Sequence, residues 1–273
     1  MPLIDTGEVE LWVERDGAGR PCLVLHGGLG VDHTLYRRSL VPLLEGCAVV
    51  SYDHRGNGRS ARPPLATLTM EQLADDAAAL ITRLGLERPV IVGHSYGGFV
   101  AQELALRHPD AVGALVLVAT GPGQLGTDED PDEGRGAPLP DEAAAVMSTV
   151  PTGDAALGDA TVRLLPYYLH RRPVDDVVEL MDGTVFDAAA MVRGFEVLGG
   201  WSAVDRLGGI AAPTLVVVGR HDVFTSPPQG RRIARRVPGA SLVELDDSGH
   251  FPWLDEPDGF AAAVNGWLAD TGR

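Results

Sequence analysis

The sequence has 273 residues, 45% of them hydrophobic and 22% charged, which is typical of a globular protein with one sizeable domain. Its formal net charge of −16 opposes binding to nucleic acid or to an anionic membrane surface, so we expect neither partner. The sequence contains no lysine, which excludes reactions that need a lysine Schiff base.

We expect neither export nor membrane insertion from the sequence. It has no apolar run of roughly 18 residues, and residues 1–17 carry charges where a secretory signal would have an apolar core. The two cysteines, Cys22 and Cys47, lie in apolar runs typical of strands, so we predict buried thiols rather than a disulfide. Together these features favour the cytoplasm.

The first elements of the chain have the hydrophobic patterns of strands. Residues 7–14 alternate between apolar and polar, which predicts a half-exposed antiparallel strand. Residues 21–25 and 47–52 are continuous apolar runs, as expected for strands that are buried on both faces. The first of these runs leads into the glycine-rich segment 26–30, and a helix is predicted to follow from Asp32.

The next segments alternate between helix and strand. Thr69 and Gln72 have the spacing of a capping box, at the start of a helix that extends to Leu84. Strands at residues 89–92 and 114–118 enclose a third helix. Buried strands that alternate with helices predict an α/β fold with a mostly parallel, doubly wound sheet and helices on both faces.

The sheet pattern stops after Thr120. Residues 121–140 are rich in Gly, Pro, Asp and Glu, and they are too many for a simple connection between two elements. Four helical segments are predicted beyond them, at residues 141–149, 155–170, 174–182 and 187–199.

The sheet pattern resumes at residues 213–218, and a last strand is predicted at residues 241–245. Because the same alternation continues on both sides of the interruption, we expect the two parts to form one domain. We assign residues 1–120 and 209–273 to this core domain and residues 121–208 to an inserted helical cap.

A serine occupies the sharp turn between the strand at residues 89–92 and the helix that follows. The turn reads Gly93-His94-Ser95-Tyr96-Gly97-Gly98, and a strand, a tight turn and a helix are the context in which Gly-x-Ser-x-Gly exposes a nucleophile. Such a turn strains the serine backbone, so its neighbours need small side chains. Because a serine hydroxyl is a poor nucleophile alone, this interpretation requires a base and an acid elsewhere.

Candidates for the base and the acid follow the last two predicted strands. Asp222 lies beyond residues 213–218, and His250 lies beyond residues 241–245. The carboxyl ends of parallel strands meet at one edge of a sheet, so both side chains are expected near Ser95. The order Ser95, Asp222, His250 matches the nucleophile, acid and base of such a fold. We predict that these three residues form a catalytic triad.

Acyl transfer also requires hydrogen-bond donors for the oxyanion that develops on the carbonyl oxygen. The backbone N–H of Tyr96, directly after the nucleophile, is one expected donor. The second is expected from the glycine-rich segment, and we favour the N–H of Gly28 over that of Leu29. The other histidines show no spacing typical of metal ligands, so we predict neither a metal nor a cofactor.

These motifs resemble those of the α/β-hydrolase superfamily, from about residue 7 to the end of the chain. The similar segments are His26-Gly27-Gly28, Asp53-x-Arg55-Gly56-x-Gly58-x-Ser60, Gly93-x-Ser95-x-Gly97, Gly219-x-x-Asp222 and Gly249-His250. The resemblance implies the fold and a cofactor-free serine hydrolase. The resemblance also implies that haloalkane dehalogenases and epoxide hydrolases of this fold have aspartate at the position of Ser95. The serine therefore argues against both of these enzyme classes.

Within the superfamily, the first two motifs are similar to those of proline iminopeptidases and related esterases. Leu29 departs from the iminopeptidase pattern, which usually has proline there, and the turn at Ser95 is shared with many esterases and carbon–carbon bond hydrolases. We favour hydrolysis of a small carboxylic ester.

An aminopeptidase and a non-catalytic ligand-binding protein are the alternatives. An aminopeptidase needs a carboxylate for the substrate ammonium, and Glu196 is the candidate in the cap. Leu29 and Glu196 are thus the predicted pocket residues, and the expected partner is a small-molecule substrate. The oligomeric state stays open.

Overall fold

The computed structural model describes residues 2–123 and 136–271. Within these ranges the chain forms the strands β1 Leu3–Asp5, β2 Glu10–Gly17, β3 Arg20–Leu25, β4 Cys47–Tyr52, β5 Val90–His94, β6 Ala114–Val118, β7 Thr214–Gly219 and β8 Ser241–Leu245. The helices there are α1 Thr34–Ser39, α2 Met70–Leu84, α3 Tyr96–Arg107, α4 Asp141–Met147, α5 Asp154–Tyr168, α6 Val174–Leu180, α7 Ala188–Gly200, α8 Pro227–Arg236, α9 Pro252–Asp255 and α10 Pro257–Thr271. Most of the predicted irregular segment 121–140 lies outside the described residues.

The strands pair in the order β1-β2-β4-β3-β5-β6-β7-β8. β1 pairs antiparallel with β2, and β2 pairs antiparallel with β4, whereas the other pairings are parallel. The predicted α/β fold with a mostly parallel sheet is thereby confirmed. No helix in the described part of the chain is both long and apolar enough to span a bilayer.

The N-terminal edge of the sheet differs from the prediction. β2 begins at Glu10 rather than at Gly7, because the chain turns before it: the N–H of Thr6 donates to the carbonyl of Val9 at 3.0 Å, and Gly7 has a φ of 100°. The extra strand β1 pairs Leu3 with Trp12. Three residues are too few to show an alternating pattern, which is why sequence periodicity misses β1.

The central strands bury side chains on both faces of the sheet. In β5, Ile91 packs into one apolar layer, and its neighbours Val90 and Val92 pack into the opposite layer. Helices α2, α3 and α8 cover the first layer, and α1, α9 and α10 cover the second. Cys22 and Cys47 are buried free thiols, as predicted.

The predicted capping box at the start of α2 is half formed. The Thr69 hydroxyl accepts the N–H of Gln72 at 3.1 Å. The Gln72 amide, however, donates to the carboxylate of Asp76 at 3.1 Å instead of reaching back to Thr69. Asp76 is buried and also accepts from the guanidinium of Arg55 at 2.6 Å, so it is a charged acceptor within reach. This ion pair ties α2 to the segment after β4.

Candidate active site

Ser95 lies at the junction of β5 and α3 in a strained conformation. Its φ of 49° and ψ of −116° fall in a region that residues other than glycine rarely adopt. The end of β6 fixes this turn: the Ser95 N–H donates to the carbonyl of Val118 at 3.0 Å, and the Thr120 hydroxyl donates to the carbonyl of Ser95 at 2.8 Å. Strain of this kind persists only where the surroundings hold it, and it is concentrated at functional sites.

The small residues after Ser95 are required by close packing. A Cβ atom on Gly97 would collide with the backbone carbonyl of Leu25 at the end of β3, and one on Gly98 would collide with the Thr120 side chain. The glycines therefore let α3 start directly beside the sheet. Tyr96 is the first residue of α3, so its N–H is one of the first-turn donors that lack an acceptor within the helix.

Asp222 and His250 follow β7 and β8 at the carboxyl edge of the sheet. His250 Nδ1 lies 2.8 Å from Asp222 Oδ2, and both side chains are buried. A carboxylate can only accept hydrogen bonds, so Nδ1 carries the proton. In the neutral ring the lone pair then lies on Nε2, which is the nitrogen able to take up a proton.

The Asp222 carboxylate is held by several donors. Oδ1 accepts from the N–H groups of Phe224 and Thr225 at 2.8 and 3.1 Å, and Oδ2 accepts from the Thr225 hydroxyl at 2.7 Å. Burial alone would raise the pKa of Asp222, but the nearby His250 and these hydrogen bonds hold it below its usual value. The carboxylate is therefore ionised at neutral pH and orients the imidazole.

The backbone of His250 is held from two sides. Its N–H donates to the carbonyl of Tyr168 at 2.7 Å, and its carbonyl accepts from His94 Nε2 at 2.8 Å. The Tyr36 hydroxyl donates to the other nitrogen of His94, also at 2.8 Å. Burial lowers the pKa of His94 well below its ordinary value, so this ring is neutral and can accept that bond. Sequence reasoning misses these contacts, since His94 and His250 are 156 positions apart.

A cavity of about 170 Å³ lies between the sheet edge and the helices α4, α5 and α7. One ordered water needs roughly 10–15 Å³ of such space, so the cavity has room for a ligand of many atoms. It is lined by Gly28, Ser95, Tyr96 and His250, and Asp222 lies behind His250. The structure thus brings the predicted catalytic and oxyanion residues together.

Of the two predicted pocket residues, Leu29 lines this cavity and Glu196 does not. The Glu196 side chain is 60% exposed on the surface of α7. On this helix the cavity is lined by Met191, Phe195 and Leu198, whose spacing of four and three residues defines one face. Glu196 is one position further on, which turns its side chain about 100° away from Phe195.

Asp32 is a buried carboxylate that also lines the cavity. It accepts from the N–H and hydroxyl of Thr34 at 2.9 and 3.0 Å, from the Arg59 guanidinium at 2.6 Å and from the N–H of Val185 at 3.0 Å. The bond to Val185 joins the residues that follow the glycine-rich segment to the chain between α6 and α7. No motif or periodicity reveals this link, because Arg59 and Val185 are 27 and 153 positions from Asp32.

His33, next to Asp32, bridges two acidic side chains. Its Nδ1 lies 2.5 Å from Asp53 Oδ1, and its Nε2 lies 3.2 Å from Glu14 Oε2. Burial alone would lower the pKa of His33, but the hydrogen bond and charge of Asp53 raise it above its ordinary value. The folded protein therefore binds this proton more tightly than the unfolded chain does, and protonation stabilises the fold.

We expect replacement of His33 by glutamine to destabilise the protein most at low pH. The charged ring contributes fully to the free energy of unfolding below the pKa of His33 in the unfolded chain, which is about 6.5. This contribution is lost as the pH rises through the higher pKa of His33 in the folded protein. Urea unfolding at about pH 5.5, 7 and 9 should show the stability gap between wild type and variant narrowing with pH. A stability gap that widens toward about pH 9 would contradict the predicted pH dependence.

The fold of the chain agrees with a family comparison. A family model described as the alpha/beta hydrolase fold matches residues 21–257 of the chain. The chain therefore belongs to the alpha/beta hydrolase fold family, as the motif resemblance implies. Hydrolase activity is consistent with the family and with the names of its relatives.

Three relatives show the range of proteins that this chain is similar to. It is 30% identical over 266 residues to a candidate carbamate hydrolase, RutD, from Caulobacter sp. (strain K31), covering 92% of this chain and 91% of the relative. It is 28% identical to the enol-lactonase of Burkholderia xenovorans LB400, with a TM-score of 0.77 and coverage of 98% and 100%. A thermophilic esterase from Thermogutta terrifontis is 26% identical, with a TM-score of 0.75 and coverage of 97% and 95%.

Proposed function

We propose that the protein is a cofactor-free serine hydrolase that cleaves a small carboxylic ester through an acyl-enzyme on Ser95. The observation that carries the proposal is the hydrogen-bonded pair of Asp222 and His250, whose imidazole lines the same cavity as the strained turn at Ser95. A nucleophile, a base and an acid that orients the base are the groups that acyl transfer requires.

In the first half-reaction, Ser95 Oγ attacks the carbonyl carbon of the ester while His250 Nε2 takes the hydroxyl proton. The bond from carbonyl carbon to the alcohol oxygen then breaks, and His250 gives the proton to the departing alcohol. In the second half-reaction, His250 takes a proton from water, the hydroxide attacks the acyl carbon, and Ser95 leaves with that proton. Asp222 stays ionised throughout and stabilises the imidazolium.

The oxyanion of each tetrahedral intermediate is assigned to the backbone N–H groups of Gly28 and Tyr96. Both residues line the cavity beside Ser95. The N–H of Tyr96 belongs to the first turn of α3, where the aligned peptide dipoles favour negative charge. Donors that are already in place need no reorganisation when the charge develops, which is why such groups contribute strongly to catalysis.

We further propose that residues 121–208 form a cap on a core domain of residues 1–120 and 209–273. Helices α4, α5 and α7 supply much of the apolar lining of the cavity. The three proposed triad residues, in contrast, follow strands of the sheet. The cap would therefore govern access and substrate choice, and the core would perform the chemistry.

An ester suits this cavity better than the free ammonium of an aminopeptidase substrate. A desolvated ammonium needs a carboxylate partner, and Glu196 points to solvent outside the cavity. Asp32 is already engaged by Arg59, Thr34 and Val185. The named activities of two relatives, an esterase and an enol-lactonase, support an open-chain ester or a lactone as substrate.

Ester hydrolysis and aminopeptidase activity can be distinguished by comparing p-nitrophenyl butyrate and prolyl p-nitroanilide at equal concentration. We expect turnover of the ester and a much lower kcat/KM for the amide. Because activated esters react more easily in any case, the decisive contrary result is a kcat/KM for the prolyl amide that equals or exceeds that for the ester. A folded protein that turns over neither compound, nor a lactone, would favour the non-catalytic alternative.

A further inference from the structure

Apolar side chains make up much of both walls of the cavity. Leu35 and Phe99 belong to the core side, and Leu157, Leu164, Met191 and Leu198 belong to the helices α5 and α7. Removing apolar surface from water is favourable, so such walls favour a hydrocarbon chain. These apolar side chains offer no hydrogen bond or counter-charge in exchange for the hydration shell of an ion.

The charged groups of the lining are few and already paired. Among the described residues that line the cavity, Asp32 is the one carboxylate, and none is an arginine. The charge of Asp32 is balanced by the Arg59 guanidinium at 2.6 Å. His94 is neutral and donates to the backbone of His250. An ionised group on the substrate would therefore enter the cavity without a counter-charge from these side chains.

Phe195 lies where the cavity meets solvent. It lines the cavity and is nevertheless 38% exposed, whereas Met191 and Leu198 on the same face of α7 are only 8% and 4% exposed. A side chain that is both lining and exposed forms part of the rim.

We propose that the site selects uncharged esters or lactones with an apolar acyl chain, and that Phe195 sets the preferred chain length. This inference rests on the proposed ester hydrolysis at Ser95. It adds two properties that the triad alone does not require: rejection of a charged chain end, and a length limit set by one residue of α7.

The predicted rejection of a charged chain end, here called the charge rule, is tested with two esters of equal acyl length. The chain of p-nitrophenyl hexanoate ends in a methyl group, and that of mono-p-nitrophenyl adipate ends in a carboxylate. We expect kcat/KM for the adipate to be lower by at least about 100-fold, because burying an unpaired carboxylate is strongly unfavourable. Values within threefold of each other would overturn the rule. If the hexanoate is turned over equally well after Ser95→Ala, the proposed function fails instead.

The proposal that Phe195 sets the preferred chain length is tested with p-nitrophenyl butyrate, hexanoate and octanoate as substrates. Two variants are compared with the wild type, one with a smaller and one with a larger side chain at position 195. Phe195→Ala should raise the ratio of octanoate to butyrate kcat/KM by about tenfold, and Phe195→Trp should lower it, since one methylene in a pocket changes kcat/KM by about 10-fold or more. Glu196→Gln, on the same helix but outside the cavity, is the control and should leave the ratio unchanged. If both Phe195 variants are folded and keep the wild-type ratio, Phe195 does not set chain length.

Discussion

Replacing Ser95 by alanine is expected to lower kcat for an ester substrate by about 10⁴–10⁶-fold. Alanine keeps the Cβ atom and the turn between β5 and α3 but removes the oxygen that forms the acyl-enzyme. The activity that remains would come from binding and from the oxyanion donors alone. Steady-state hydrolysis of p-nitrophenyl butyrate measures the loss.

The variant is not expected to unfold. The Ser95 N–H donates to the carbonyl of Val118, and the Thr120 hydroxyl donates to the carbonyl of Ser95. Neither bond uses the Ser95 hydroxyl. Far-ultraviolet circular dichroism and the urea midpoint should therefore match those of the wild type. A folded Ser95→Ala variant that retains more than about a tenth of the activity would remove Ser95 from the mechanism.

Replacing Asp222 by asparagine is expected to lower kcat by about 10⁴-fold with the fold retained. In the wild type, the N–H groups of Phe224 and Thr225 donate to Asp222 Oδ1, and the amide oxygen of asparagine can accept the same two bonds. The amide nitrogen would then face His250 Nδ1, and it can only donate. The ring would have to accept at Nδ1 and carry its proton on Nε2, so Nε2 could no longer take the proton of Ser95.

Asp247→Asn is the matched control for this experiment. Asp247 also lies after β8, but it is exposed and pairs with Arg171. Exposed ion pairs contribute about 0–1 kcal/mol, so this variant should keep both its stability and its activity. Near wild-type turnover by Asp222→Asn combined with a large loss in Asp247→Asn would transfer the acid role to Asp247.

The fold is predicted from the sequence because buried strands have a pattern that does not depend on distant contacts. The continuous apolar runs at β3, β4, β6 and β7 mark strands covered on both faces, and their alternation with helices indicates a parallel sheet. β1 escapes this reasoning because it is three residues long and gains its structure from pairing with β2.

The positions of Ser95, Asp222 and His250 are predictable for a related reason. Each follows a strand, and the carboxyl ends of parallel strands gather at one edge of the sheet. Side-chain contacts between distant segments, such as those of Asp32 or His94, carry no local pattern. Glu196 illustrates this difficulty, because its neighbour Phe195 lines the cavity and Glu196 does not. Which of the two faces the cavity depends on how α7 is rotated about its own axis against the core, and the sequence alone does not give that rotation.

The acyl-enzyme on Ser95 is tested most directly by mapping the site of covalent labelling with a fluorophosphonate. Ser95 is the only serine between Arg83 and Arg107, so tryptic cleavage at arginine isolates it from every other serine. We expect one label per chain, on the peptide that contains Ser95, and loss of ester hydrolysis in proportion to labelling. Complete inactivation with the label on another peptide, or full activity in a chain labelled at Ser95, would contradict the proposed mechanism.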